Sequence, residues 1–414
     1  MHAQTPAGTH HPAGVPDNYL ITPFGYAHPS CVIELAQGDT QVDHGHAIQH
    51  QDGSITQIAP CAYPSYTAKG EKIAQGQSTQ NTIQNPPSIS HSWIEDYEAT
   101  SNTSFGGLVA SWIVPQAPTS NDGQSIYFFP GMCVYGCNIS DPQETIIQPV
   151  LGWNANGDQA WTIASWNCCY DGNKVHSQLI QVNPGDTISG YMQSTCSAGT
   201  LTCPSWNIVT NDETTGASTQ LNNTPSYGQT FNWAFAGVLE VYNVVQCSDY
   251  PPNAGTIFSN LYLQDNTFNP IANPGWSYDN QSAGWTPQCS YGGQGYGAQV
   301  ELNYGSTPPA LPPTYTEQSP IPSPTNCYEY MFGNPPCYMT DAATVSVAPE
   351  ETLYINGASV NGTNYNYSAT EYWGSGQCGY IYDQGYQCWG YATPSAAAYA
   401  TEPGYSDSIT ITVR

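Results

Sequence analysis

Between residues 91 and 304 the chain never sustains a 3.6-residue apolar period for the length of a helix. It carries short apolar stretches instead, at 107–114, 125–129, 145–153, 160–166, 176–182, 187–192, 207–210, 232–245, 256–263 and 299–304. Turn residues separate them. Asn183-Pro184-Gly185-Asp186 and Asp171-Gly172-Asn173 have turn chemistry, because Pro presets φ and Gly tolerates the left-handed region. Strands at this spacing predict an all-β fold, an antiparallel two-sheet β-sandwich spanning 91–306.

The flanks read differently. Residues 1–90 hold His2, His10, His11, His28, His44, His46 and His50, with Lys69 and Lys72, and end in a Gln/Asn/Ser-rich run at Asn85-Pro86-Pro87. Strand periodicity is poor there, and the segment is expected to be an N-terminal arm or propeptide ordered around Cys31 and Cys61. No signal peptide is legible; Met1-His-Ala-Gln reads as a start placed where one was removed. Residues 307–325 form a Pro-rich linker, a composition that favours extended spacing. A small disulfide-bonded β module is expected at 326–414, where 344–347 and 408–413 alternate like strands of a small sandwich.

Charge narrows the partners. Lys and Arg number 4 against 31 Asp and Glu, giving a formal net charge of −27. Nucleic acid is excluded, since phosphate neutralisation needs Lys and Arg, and an anionic membrane surface is disfavoured likewise. No run approaches the ~20 apolar residues of a membrane span. With 12% aromatic residues the chain is not a disordered acidic polymer. Below about pH 3 the carboxylates are mostly protonated. The main remaining side-chain charges are then four bases and nine His, so self-repulsion stays small in acid. The composition suits a secreted protein of an acidic environment that offers few sites to trypsin-like enzymes.

Fourteen Cys point to an oxidising compartment. Cys133–Cys137, Cys196–Cys203 and Cys378–Cys388 are local pairings the spacing allows. No CxxC pair or adjacent His accompanies them, so no metal site is expected there. His44-Gly45-His46 admits a metal, but histidines on a polar loop are more often simply solvated.

Histidine catalysis is poorly served, because only His91 and His176 lie beyond the arm. Glu95-Asp96-Tyr97-Glu98 lacks the alternation that paired glycosidase carboxylates need on one strand face. Glu240 stands out. It lies in a run apolar on both faces, 235–245, and period 2 puts it beside Val238, Tyr242 and Val244. Burial would raise its pKa, as acid/base chemistry near neutrality requires, although a Glu bonded to Tyr at a sheet edge has the same pattern. Gln148, sharing a face with Ile146 and Val150, is a second polar intruder. Its amide has the chemistry of an oxyanion donor or of a structural hydrogen bond.

The order Ile147-Gln148-Pro-Val, Trp161-Thr-Ile-Ala-Ser-Trp166, Val182-Asn-Pro-Gly-Asp-Thr-Ile188, Asn211-Asp-Glu-Thr-Thr-Gly216 and Gly237-Val-Leu-Glu240-Val resembles the eqolisin-type glutamic peptidases across 105–245. The resemblance implies a concanavalin-like β-sandwich and a secreted acid endopeptidase with a Gln/Glu dyad. Glu240 would activate water, Gln148 would stabilise the oxyanion, and Trp161 and Trp166 would line the substrate cleft. It implies a protein or peptide substrate and no cofactor. Two departures stand out: Ala164-Ser165-Trp166 lacks the family's Glu on that strand, and 238–242 is a shortened form of its Glu-containing ending. In a related two-glutamate type, Glu144 would partner Glu240. The arm would then cover the cleft, its bases held by carboxylates that lose charge in acid. A monomer is expected.

Two other readings compete. One is a carbohydrate-binding or carbohydrate-active sandwich, with glycan contact through Tyr372, Trp373, Tyr380, Tyr382, Tyr386 and Trp389 of the C-terminal module. The other is an acid-resistant structural surface protein.

Overall fold

The computed structural model describes residues 11–73, 92–137, 144–155, 157–283, 285, 287–296 and 298–305, and the backbone of nine strands between 314 and 413. The chain divides into two compact units, Met1–Pro308 and Pro309–Arg414.

The first unit is all-β, and two antiparallel sheets carry it. A seven-stranded sheet runs Ala217–Pro225, Ser205–Asp212, Thr187–Ser194, Phe105–Ile113, Gly255–Asp265, Gln299–Asn303, Gly292–Tyr296. A nine-stranded sheet runs Ser277–Asn280, Trp93–Thr100, Trp233–Tyr242, Ser125–Cys133, Ile146–Trp153, Trp161–Cys168, Lys174–Ser177, Val32–Leu35, with Ile180–Val182 beside the Trp161–Cys168 strand. The sheets face each other. Ile126, Phe128, Leu151, Trp161 and Leu239 of the larger sheet pack against Ala110, Trp112, Ile188, Phe258 and Leu302 of the smaller. Ile147, Met132 and Ala234 meet Leu108, Met192 and Ile208 in a second cluster. The approach is close: a Cβ on Gly190 would lie 2.4 Å from Pro149 Cγ, so only glycine fits opposite that proline.

The central strands Ser125–Cys133, Ile146–Trp153, Trp161–Cys168 and Trp233–Tyr242 are buried along their whole length. A strand covered on both faces reads as continuously apolar rather than alternating. Their inner face meets the second sheet. Their outer face is covered by the N-terminal segment, where Val15, Tyr19, Phe24 and Tyr26 pack with Tyr127, Phe129, Val150, Trp166, Val238 and Tyr242.

That segment is more regular than its sequence predicts. Leu20–Thr22, Gly25–Ala27, Ser65–Tyr66 and Lys72–Ile73 form one small sheet, and Thr40–Val42, Ala47–Gln49 and Ile55–Gln57 another. Strands of two to four residues are too short to display a period. Val32–Leu35 joins the large sheet, parallel to Lys174–Ser177.

Disulfides join Cys133–Cys137 and Cys196–Cys203, the local pairings expected, and also Cys31–Cys61, Cys168–Cys169 and Cys247–Cys289. Cys378 and Cys388 lie outside the described side chains. The five bridges among the described residues fit an oxidising, extracellular compartment. Among the described residues no helix is long and apolar enough to cross a membrane.

The second unit holds a four-stranded sheet, Thr314–Ser319, Asp407–Val413, Thr352–Ile355, Ala358–Asn361, and a five-stranded one around Asn364–Tyr372 and Gly385–Thr393. Thr314–Ser319 falls within the stretch read as linker. Between its flanking prolines it alternates Thr-Tyr-Thr-Glu and pairs with Asp407–Val413. The aromatic side chains of the suggested glycan platform lie outside the described set.

Candidate active site

Glu240 occupies the outer face of the large sheet with Val238 and Tyr242. It is fully buried. Its Oε1 accepts from Ser92 Oγ at 2.7 Å and from Tyr242 Oη at 2.5 Å. A β-bulge assembles this group. Leu239 pairs with Glu95 but Glu240 pairs with Trp93, so the neighbouring strand carries one extra residue here. Ser92 and Trp93 are thereby both brought to the carboxyl, and Val241 N–H donates to the Ser92 carbonyl at 3.0 Å. Burial pushes the Glu240 carboxyl up to about 7, against the hydrogen bonds of Tyr242, Ser92 and Trp93, which favour the charged form.

On the other side Glu240 pairs directly with Tyr127. Such cross-strand neighbours have Cβ atoms about 5 Å apart. Tyr127 is buried, and its hydroxyl donates at 3.3 Å to the backbone carbonyl of Ile21 in the N-terminal segment. Burial and the nearby Glu240 raise the Tyr127 phenol well above its ordinary range, so it remains a donor. Over this pair sits Tyr26, its ring edge-on to Tyr242 at 5.6 Å.

Gln148 is on the same face, with Ile146 and Val150 beside it in the apolar cluster. It is fully buried, and neither amide atom has a hydrogen-bond partner. The structure does not bring it to Glu240. Met132 pairs with Ile147, which places Gln148 beside Gly131, while Glu240 lies beside Tyr127. One strand intervenes and four residues separate the two along it, about 14 Å along the sheet and about 10 Å across it. The residue opposite Gly131 on the Glu240 strand is Phe235. Glu144 is farther still: the pairing ends at Cys133 with Ile146, at the end of the strand away from Tyr127.

Trp166 lies directly across from Gln148 on this face, stacked on His176 at 4.4 Å. Trp161 does not share the face, contrary to the role the sequence suggests. It is buried between the sheets against Phe128 and Trp153. Five residues separate the two tryptophans, and an odd separation in a strand puts side chains on opposite faces. Trp161→Ala is accordingly expected to cost about 3–5 kcal/mol of stability, read by denaturant titration, with no change in cleavage preference.

Gln148 makes an opposite prediction. Two unsatisfied amide atoms in an apolar cluster cost about 1–3 kcal/mol. Gln148→Leu should therefore melt higher than wild type in a thermal scan. A lower melting temperature would show that the amide is satisfied in solution.

The covering segment is tied down at the far edge of the sheet. Lys174 is buried, and its Nζ donates to Ser65 Oγ at 2.8 Å and to the Gly172 carbonyl at 2.9 Å. Burial lowers Lys174 to about 8 and His176 to about 4. The bases of the segment rest on carboxylates only in part: His50 Nδ1 lies 2.8 Å from Asp39 Oδ2. Lys69 lies over the Trp285 ring at 5.4 Å, and His46 approaches Asp171 at 3.9 Å. Among the described residues no three His, Cys, Asp or Glu side chains are grouped to hold a metal ion.

Tyr127 and Ser92 are the site residues that sequence reasoning missed. Each is an ordinary strand residue until the register sets it beside Glu240.

No family model matches the chain, and no curated protein matches it. Among solved structures, it is similar to a crystal structure of scytalido-glutamic peptidase with a transition state analog inhibitor. The identity is 16% and the TM-score 0.36, over 51% of this chain and 98% of that one. A second structure of the same peptidase, with a peptide based transition state analog, gives 16% and 0.37 over 52% and 98%.

Proposed function

We propose that this chain is a latent, secreted acid endopeptidase. It hydrolyses peptide bonds on the outer face of the nine-stranded sheet, and Glu240 moves the protons. The observation that carries the reading is the Ile21 carbonyl, a peptide carbonyl already held by Tyr127 Oη on the strand directly beside the Glu240 strand. A site that orients an amide carbonyl next to a buried carboxyl has the two groups that amide hydrolysis requires.

In this reading Glu240 as carboxylate takes a proton from water while the water oxygen bonds to the scissile carbon. The carbonyl π electrons move onto oxygen, where the Tyr127 hydroxyl stabilises the charge. Glu240 then returns the proton to the leaving nitrogen, the C–N bond breaks, and the oxyanion collapses to the new carboxyl group. Gln148 serves the substrate farther along the face, because its register is too distant for it to reach the same carbonyl. Trp166 would flank that subsite. The N-terminal segment is the cover that makes the enzyme latent. The segment order resembling glutamic peptidases supports the same reaction class, and the five disulfides support secretion.

The test is hydrolysis of a denatured protein by the full chain, assayed at pH 3 and pH 7 beside Glu240→Gln and Tyr127→Phe. Acid-dependent cleavage lost in Glu240→Gln supports the reading. Cleavage that survives in Glu240→Gln, or none under any condition, removes it.

A further inference from the structure

We infer that the Glu240 site includes a subsite selective for a phenol, which takes a tyrosine side chain of a polypeptide substrate and is filled in this structure by Tyr26. The inference rests on the peptidase reading for what the subsite serves, but its binding chemistry stands on geometry alone.

Tyr26 belongs to the covering hairpin of Leu20–Thr22 and Gly25–Ala27, and it is completely buried. Its ring meets Tyr242 edge-on, and Tyr242 Oη is itself hydrogen-bonded to Glu240. The pocket is thus one side chain away from the carboxyl. Its far end is polar. Tyr26 Oη donates to Asn243 Oδ1 at 2.9 Å. The Asn243 amide is fixed in that sense, because its Nδ2 donates to the Gly123 carbonyl at 3.3 Å. Asn243 also sits in the left-handed region, at φ 57°, immediately past the end of the Glu240 strand. Asparagine adopts this conformation more readily than most residues. The sheet therefore presents an aromatic wall and a prearranged acceptor to whatever phenol enters.

The backbone contact belongs to the same arrangement. Tyr127 holds the Ile21 carbonyl while Tyr26 fills the pocket, so one contact reads main chain and the other reads a side chain. Peptide-binding sites divide affinity and specificity in this way. A phenylalanine side chain would fill the wall but leave Asn243 Oδ1 without the phenol donor it accepts from here. A site built to bond a hydroxyl rejects the analogue lacking it.

The experiment opens the pocket in the full chain with Tyr26→Ala and probes it with p-cresol and with toluene, followed by thermal shift and by ligand-observed NMR. We expect p-cresol to bind about tenfold more tightly than toluene and to restore part of the lost melting temperature. Asn243→Leu placed in the same background should erase that preference. If Tyr26→Ala does not fold, Tyr26→Phe keeps the ring and removes the hydroxyl. Its destabilisation should then vanish when Asn243 is already leucine.

Equal binding of the two probes, or additive effects in the double variant, overturns the inference. Mapping the cleavage products of a denatured substrate gives a separate readout. Cuts clustered next to tyrosine in wild type and dispersed in Asn243→Leu support the substrate role, and cuts indifferent to tyrosine overturn it. Selective p-cresol binding without any cleavage supports the pocket and removes the peptidase reading instead.

Discussion

Glu240→Gln is expected to lower the turnover of a denatured protein substrate at acid pH by about 10³-fold, the usual range for a lost general acid/base. Glutamine keeps the shape of the side chain and an oxygen to accept from Ser92 and Tyr242, but it cannot carry a proton between water and the leaving amine. The same substitution has a stability signature that follows from the burial of the carboxyl. Glu240 is raised from 4.5 to about 7 in the folded chain, so its favourable contribution is complete below pH 4.5 and is lost as pH rises through 7. At neutral pH the wild type carries a penalty on the order of 3 kcal/mol that glutamine does not. Glu240→Gln should therefore melt higher than wild type at pH 8 and close to it at pH 3, by calorimetry. The activity profile should differ from that of the covered form. Burial is the main cause of the raised value, and the Tyr242 and Ser92 hydrogen bonds oppose it. Once the cover leaves and water returns, the carboxyl should titrate nearer 4.5, so the carboxylate that activates water is present further into acid than in the covered form, and cleavage should fall off below that pH. Parallel profiles for wild type and Glu240→Gln, at any level of activity, would sink this assignment.

Acid should release the N-terminal cover while tightening the sandwich beneath it. His176 lies on the strand that pairs with the covering strand, opposite Glu34, with buried Lys174 two residues before it. Its pKa falls from 6.5 to about 4 on burial. A lowered histidine stabilises fully above pH 6.5, and that contribution is lost as pH falls through 4, a change on the order of 3 kcal/mol. Carboxyls act with the opposite sign. Glu95, Asp96 and Glu98 are all raised, chiefly by burial, as is Glu240. Their contribution grows as pH falls, and all four belong to adjacent strands of the large sheet. Hydrogen exchange at pH 3 should therefore show lost protection at 32–35 and 174–177 with protection kept at 93–100 and 233–242. His176→Phe, a ring that cannot charge, should keep residues 32–35 protected in acid. Protection lost from both regions together would mean that cover and sandwich open as one unit.

This mechanism of release differs from the one the sequence suggests. There the bases of the arm rest on carboxylates that acid neutralises. In the folded chain Lys69 of the arm lies on an indole while His46 approaches Asp171 at 3.9 Å, so neutralising carboxylates acts on the histidine and not on the lysine. His176 of the sheet adds a second acid-sensitive group, buried on the strand that pairs with Val32–Leu35.

Strands with continuous apolar runs, such as 146–153 and 233–242, are plain in the sequence because both of their faces are buried. Trp93–Thr100 is hidden for the opposite reason. Its Glu95, Asp96 and Glu98 lower any strand expectation, yet the first two are buried and hydrogen-bonded to Tyr278, the Gly292 N–H and Gln281. Glu240 was legible as a carboxyl set among apolar neighbours of one face. The parity of Trp161 and Trp166 was legible too, since a period of two separates them.

By itself, then, the amino-acid sequence determined the all-β class, the oxidising chemistry of the cysteines and the faces on which Gln148 and Glu240 lie. These follow from local periodicity and composition, which each strand carries alone. Which residues meet was decided only by tertiary structure. Register between strands placed Tyr127, Ser92 and Trp93 at Glu240 and put Gln148 about 14 Å along the sheet. Register depends on bulges and on pairing across long sequence separations, which no single strand encodes.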